Sequence, residues 1–94
     1  MKTLIMPLLL ALAASPASAA CYADYKASQH NPFGIHYGVA QLPDTACGSL
    51  EAAAAALAPR LAQNGWTLGN ILSIFGPEGL EQRKASAGTN YLRY

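Results

Sequence analysis

The chain has 94 residues, 52% of them hydrophobic, with six Lys or Arg against five Asp or Glu; that length leaves room for one small domain, with no internal repeat, charge block or long linker. A formal charge of +1 without clustered Lys and Arg disfavours nucleic acid and anionic membrane surfaces as partners.

The N-terminus comes first. Lys2 precedes an apolar run over residues 4–14 that only Pro7 interrupts, which is the length of a signal h-region and falls short of the roughly 18 residues a permanent span needs. Pro16 ends the run, and the small residues Ala17 and Ala19 meet the A-x-A requirement of a signal peptidase. Residues 1–20 therefore read as a cleaved signal peptide and 21–94 as a single small secreted domain. Cleavage after Ala19 is the first choice and after Ala20 the alternative. The second cut would make Cys21 the N-terminus, where bacterial lipoproteins carry their lipid anchor. Ser18 stands where such a signal has a bulky aliphatic, and argues against lipidation at Cys21.

Without the leader, Lys26, Arg60, Arg83, Lys84 and Arg93 balance Asp24, Asp44, Glu51, Glu78 and Glu81, so the formal charge is zero. A domain this small buries only about 60% of its unfolded surface and gains from a covalent staple. Cys21 and Cys47 are the two cysteines. In an oxidising compartment they are expected to pair, contributing about 3 kcal/mol by restricting the unfolded chain.

Residues 21–34 read as a polar, turn-rich lead-in, with a turn at Asn31-Pro32. Residues 35–42 place Ile35, Tyr37 and Val39 on one face at period two, a strand that Pro43-Asp44 ends. From Ser49 the period changes: Leu50, Ala54, Leu57 and Leu61 form one stripe of an alanine-rich helix. Gly48 or Ser49 caps it, Glu51 suits its first turn, and Asn64-Gly65 stops it. Pro59 lies inside this helix but off the apolar stripe, where a bend toward the core is tolerated.

Residues 66–75 are the most apolar stretch of the secreted part and alternate as a covered strand, with a bulge expected at Gly69-Asn70; a tight turn there, splitting the run into a hairpin, is the lesser alternative. Gly76-Pro77-Glu78 then opens a short helix, Gly88 ends it, and residues 89–94 make a last strand. This order, β-α-β-α-β, predicts an α+β fold in which one long helix covers one face of a small three-stranded sheet. The helical connection would make the first two strands parallel, with the last inserted antiparallel between them; an all-parallel sheet is the alternative.

The Ala/Leu helix ending in Asn64-Gly65-Trp66-Thr67-Leu68, together with the closing Tyr91-Leu92-Arg93, resembles a bacterial family of short domains of unknown function, in which a helix runs into a Gly-Trp-x-Leu strand. The opening Cys-Tyr-Ala-Asp-Tyr of the secreted part is similar to that of small uncharacterised exported proteins of alphaproteobacteria. The resemblance implies the fold and brings no activity, cofactor or catalytic residue.

Chemistry-bearing residues are few. His30 and His36 flank the Asn31-Pro32 turn, and Asp24 would be a third metal ligand if all three converged, since a site needs three or four. Ser28, Ser49, Ser73 and Ser86 have no acid-base pattern beside them. A Cys47–His pair requires a reduced thiol. Tyr22, Tyr25, Tyr37 and Tyr94 are candidates for an exposed interaction patch, against a bland role in core and rim packing. The resulting expectation is a periplasmic (or secreted) interaction or accessory module, not an enzyme, with no cofactor and with a protein partner or a second copy bound by strand-edge pairing. A small-ligand or metal binder using His30 and His36 is the alternative, and a hydrolase or redox enzyme a distant third. Intact mass of the exported product should match a chain beginning at Ala20 or Cys21, whereas a retained Met1 or a lipid adduct would contradict this reading.

Overall fold

The segment expected to be a lead-in is the central strand of the sheet. The structure, a computed structural model, describes residues 21–94, and the expected signal segment lies outside the described residues. Its elements are β1 (Cys21–Gln29), β2 (Gly34–Leu42), α1 (Leu50–Ala62), β3 (Thr67–Phe75) and α2 (Glu81–Ala87). The α+β class and the three strands are as expected. The order is β-β-α-β-α instead, because β1 forms and residues 89–94 do not make a strand.

The sheet runs β2-β1-β3 and is antiparallel throughout. No parallel crossover is needed, because β1 and β2 are a hairpin whose register runs from Cys21 opposite Leu42 to Gln29 opposite Gly34. Alternation then assigns the faces. Cys21, Ala23, Tyr25 and Ala27 look toward α1 with His36, Ala40 and Leu42, while Tyr22, Asp24 and Lys26 share the other face with Ile35, Tyr37 and Val39.

β3 reaches the α1 face differently. Its partners on β1 skip at Leu72 and at Gly69, so two bulges put Leu68, Ile71 and Ile74 opposite Ala27, Tyr25 and Ala23 at a spacing of three. The bulge at Gly69 matches expectation. The one at Leu72 does not, and it turns that leucine out to solvent.

α1 begins where the sequence indicates, with the Ser49 hydroxyl accepting from the Ala52 N–H at 3.0 Å. It ends in a Schellman pattern. The Trp66 N–H donates to Leu61 O and the Gly65 N–H to Ala62 O, with Gly65 at φ +84°, a conformation that costs glycine nothing. Pro59 sits inside the helix and is exposed. The buried stripe is Ala53, Leu57 and Leu61: Leu57 and Leu61 are as expected, and Ala53 takes the place of Ala54. Leu50, at the start of the first turn, is left in solvent.

The core between α1 and the sheet joins Ala23, Tyr25, Ala27, Ala40, Leu57 and Leu61 with Ile71. Cys21 and Cys47 are disulfide-bonded, with Cα atoms 6.0 Å apart, tying the start of β1 to the turn before α1. That bond also commits the Cys21 sulfur, which is then not available for a thioether-linked lipid. The second face is covered too, in part. α2 packs on β2 there, and Val39 and Ala87 are buried.

After α2, Gly88 at φ +55° turns the chain into a short 3-10 segment, Gly88–Asn90. Tyr91 then makes a single parallel bridge to Val39, and Leu92 departs at φ +55°. The expected last strand is therefore a strap along the outer edge of β2. The 3-10 turn over Thr89 and Asn90 and the left-handed φ of Leu92 break the extended run that a strand would need.

Small residues permit the close layers. A Cβ built on Gly38 would lie under 3.0 Å from the Tyr25 hydroxyl and ring, and Tyr25 is wholly buried with little room to give. Gly38→Ala should cost about 1–3 kcal/mol in urea unfolding. Gly48→Ala, in open space, should change stability by less than about 1 kcal/mol.

Candidate functional site

Asp24 lies in the middle of the central strand and is buried, where a carboxylate survives only with full hydrogen bonding. Donors arrive from three other elements. Ser73 of β3 donates to Oδ1 at 2.6 Å, and Tyr37 of β2 donates to Oδ2 at 3.0 Å. Arg83 of α2 donates to Oδ2 through Nε at 3.1 Å. Arg83 also donates from Nη1 to Gly79 O and lies 3.9 Å over the Phe75 ring. Burial raises the Asp24 carboxyl, but the bonds from Ser73, Tyr37 and Arg83 outweigh it and hold the group below its ordinary 3.8.

The opposite face carries an aromatic cluster around His36. Its Nε2 and the Tyr25 hydroxyl are hydrogen-bonded at 2.9 Å, Trp66 meets its ring edge-on at 4.3 Å, and Tyr94 stacks at 5.6 Å. His36 Nδ1 is buried without a partner. Burial, and then the nearby Arg93 charge, hold this imidazole below 6.5. Burial pushes the Tyr25 phenol up to about 12, so the pair is neutral at physiological pH.

Beside this cluster, Arg60 of α1 ties the strap down, donating from Nε and Nη2 to Tyr94 O at 2.9 and 2.7 Å and from Nη1 to Gln41 O at 3.0 Å. A broad, open cleft of about 460 Å³ lies along Gln41, Leu42, Pro43, Arg60, Leu92 and Arg93.

The outer edge of β2 is the remaining feature. A strand residue points its own N–H and C=O to the same side, and the side alternates. Val39 O accepts from the Leu92 N–H at 2.8 Å and Gln41 O from Arg60, so the odd-numbered residues of β2 face outward. The strap and Arg60 therefore occupy this edge at Val39 and Gln41. Ile35 and Tyr37 turn their N–H and C=O to the same edge with no partner strand among the described residues. Next to them stand Ile35, 63% exposed, and Phe33 at the hairpin turn, 72% exposed.

These positions relocate the expected residues. Asp24 and His36 lie on opposite faces of the sheet, and His30 is exposed at the hairpin turn. The three do not converge, and no group of three His, Cys, Asp or Glu side chains does so among the described residues. The four tyrosines form no single exposed patch either. Tyr25 is buried with Tyr94 stacked nearby on the α1 face, whereas Tyr37 is bonded to Asp24 and Tyr22 stacks on Phe75 at 6.2 Å on the other. The open edge at Ile35 was hidden in the sequence because Ile35, Tyr37 and Val39 read as one core-facing set. α2 packs on this face and its Arg83 meets Tyr37 at Asp24, while Ile35 stays exposed.

Among the described residues no helix is long and apolar enough to cross a membrane. Comparison with protein-family models, curated proteins and solved structures returns no match.

The two buried ionisable groups predict acid behaviour of a stated sign. Both have lowered folded values, so each contributes its full stability above its unfolded pKa and loses it as pH falls. Unfolding free energy should drop first below about pH 6.5, from His36, and again below about pH 4, from Asp24. Asp24→Ala should abolish the second step and cost about 2–4 kcal/mol at neutral pH, the range allowing for the partial exposure of Arg83. Urea titrations across pH check both steps.

Proposed function

We propose that this chain is an exported, non-enzymatic interaction module of the periplasm that binds a polypeptide partner by adding a strand to the open edge of β2. The observation that carries the reading is the unpaired, outward-facing backbone of Ile35 and Tyr37, flanked by exposed Phe33 and Ile35. An edge of that kind recognises an extended chain through main-chain hydrogen bonds, and its neighbouring apolar side chains add affinity.

Other features support the reading by what they already do. His36 is engaged with Tyr25, Ser73 with Asp24, and the two cysteines with each other. These four residues are thus committed to the fold. The disulfide is consistent with an oxidising compartment. Small-ligand binding is the second reading, favoured by the cleft beside Arg60 and Arg93. It is the weaker of the two, because that cleft is open and three Arg60 donor contacts go to Tyr94 and Gln41.

Affinity capture from periplasmic extract tests the proposal, with the purified protein and its Ile35→Lys variant as matched baits. A lysine on an edge strand discourages pairing, and Ile35 is exposed enough to accept one without loss of the core. A partner held by the parent and lost with the variant is expected. Equal retention by both baits, or retention by neither, would count against strand addition at β2.

A further inference from the structure

We infer that the end of the strap, residues 92–94, is a latch that opens on acidification, because a protonated His36 is not accommodated beneath it. Opening frees the Val39 carbonyl that Leu92 occupies, next along the β2 edge from Ile35 and Tyr37. The latch thus regulates the edge used in the strand-addition reading above, and that consequence rests on the reading, whereas the opening itself does not.

The site has a partner for only one nitrogen of the imidazole. Nε2 and the Tyr25 hydroxyl are bonded at 2.9 Å, and Nδ1 is buried with no partner. In the neutral ring this leaves one uncharged polar atom unsatisfied. Protonation makes both nitrogens donors, so Nδ1 becomes a charged N–H without an acceptor, which is much costlier. The groups facing the ring are Tyr25 of β1, Trp66 after α1, and Tyr94 and Arg93 of the strap, with Arg60 of α1 bonded to the main chain of Tyr94. No Asp or Glu is among them, and Arg93 adds a like charge. The face of the Tyr94 ring attracts a cation, but at a centroid separation of 5.6 Å this is the smaller effect. Lifting the strap removes Arg93 and the stacked Tyr94 together and lets water reach the imidazole.

Of the elements around His36, the strap is the one able to move. Tyr25 is wholly buried between α1 and the sheet, and Trp66 is fixed by its N–H to Leu61 O. The strap is held by the Leu92 N–H on Val39 O, by Arg60 on Tyr94 O and by the stack on His36. Leu92 also sits at φ +55°, a strained conformation for leucine that opening relieves. A segment with so few attachments opens locally, well short of unfolding the domain.

Amide exchange and histidine titration by NMR on the purified protein test the latch with no partner present, so its failure leaves strand addition standing. Protection of the Leu92 amide should stay below that of Leu57 and should fall about 5- to 25-fold between pH 7 and pH 5. The upper figure is the most that a group titrating near 6.5 when freed can supply over that interval. His36→Gln, which takes up no proton, should abolish the fall. Arg60→Lys keeps the charge but loses the planar, two-pronged contact with Tyr94 O. It should lower Leu92 protection at pH 7 and move the His36 midpoint up toward 6.5, since strap and proton are coupled reciprocally. Leu92 protection that ignores pH, or that equals Leu57 protection at both pH values, would overturn the latch, as would a pH response that survives His36→Gln. Should that variant not fold, a His36 midpoint unmoved by Arg60→Lys would overturn it equally.

Discussion

A carboxylate in the middle of a central strand is the constraint on which the rest of this small structure depends. Asp24 has an oxygen for each neighbour: Ser73 holds β3 through Oδ1, while Tyr37 and Arg83 bring β2 and α2 to Oδ2. A charged group in this position is costly when any donor is missing and well accommodated when all are present. The network therefore fixes which face of the sheet α2 covers and in which register β3 must bulge, since Ser73 reaches Asp24 only with Leu72 displaced. The apolar core on the opposite face mixes small alanines with Tyr25, Leu57, Leu61 and Ile71. The polar hub is the element that specifies one arrangement.

How much of this is legible in the sequence follows from how local each signal is. The α1 boundaries depend on Ser49 and Gly65, which act within a turn of the helix they bound, and were readable there. So was the cysteine pair, given only two thiols to join. β1 was not. Ala23 and Ala27 are weak strand formers, and Asp24 in the same run looks like a loop residue until its donors appear from 49 and 59 positions away. The misread C-terminal strand has a backbone cause. Leu92 adopts a left-handed φ that no propensity of leucine announces, and it is held there by the bond to Val39 and by Arg60 on the main chain of Tyr94. The expected metal set failed on parity, since Asp24 and His36 pair with residues whose side chains leave opposite faces of one pleated sheet.

The two faces also divide labour. On the α1 side, His36 is packed among Tyr25, Trp66 and Tyr94, anchoring the strap from beneath while Arg60 anchors it from the end. On the other, α2 packs on β2 and its Arg83 meets Tyr37 at the Asp24 carboxylate, leaving Ile35 exposed. The exposed part of β2 is thus its start, at Ile35.

The disulfide has a topological meaning beyond its contribution to stability. Cys21 opens β1 and Cys47 follows β2, so the covalent bond closes the hairpin into a ring that contains both strands and their turn. A break in the exposed turn at residues 30–33 would open that ring without releasing a fragment, because each half remains attached through sulfur and through the antiparallel ladder. This exposed turn can therefore be nicked while the two strands stay in one piece.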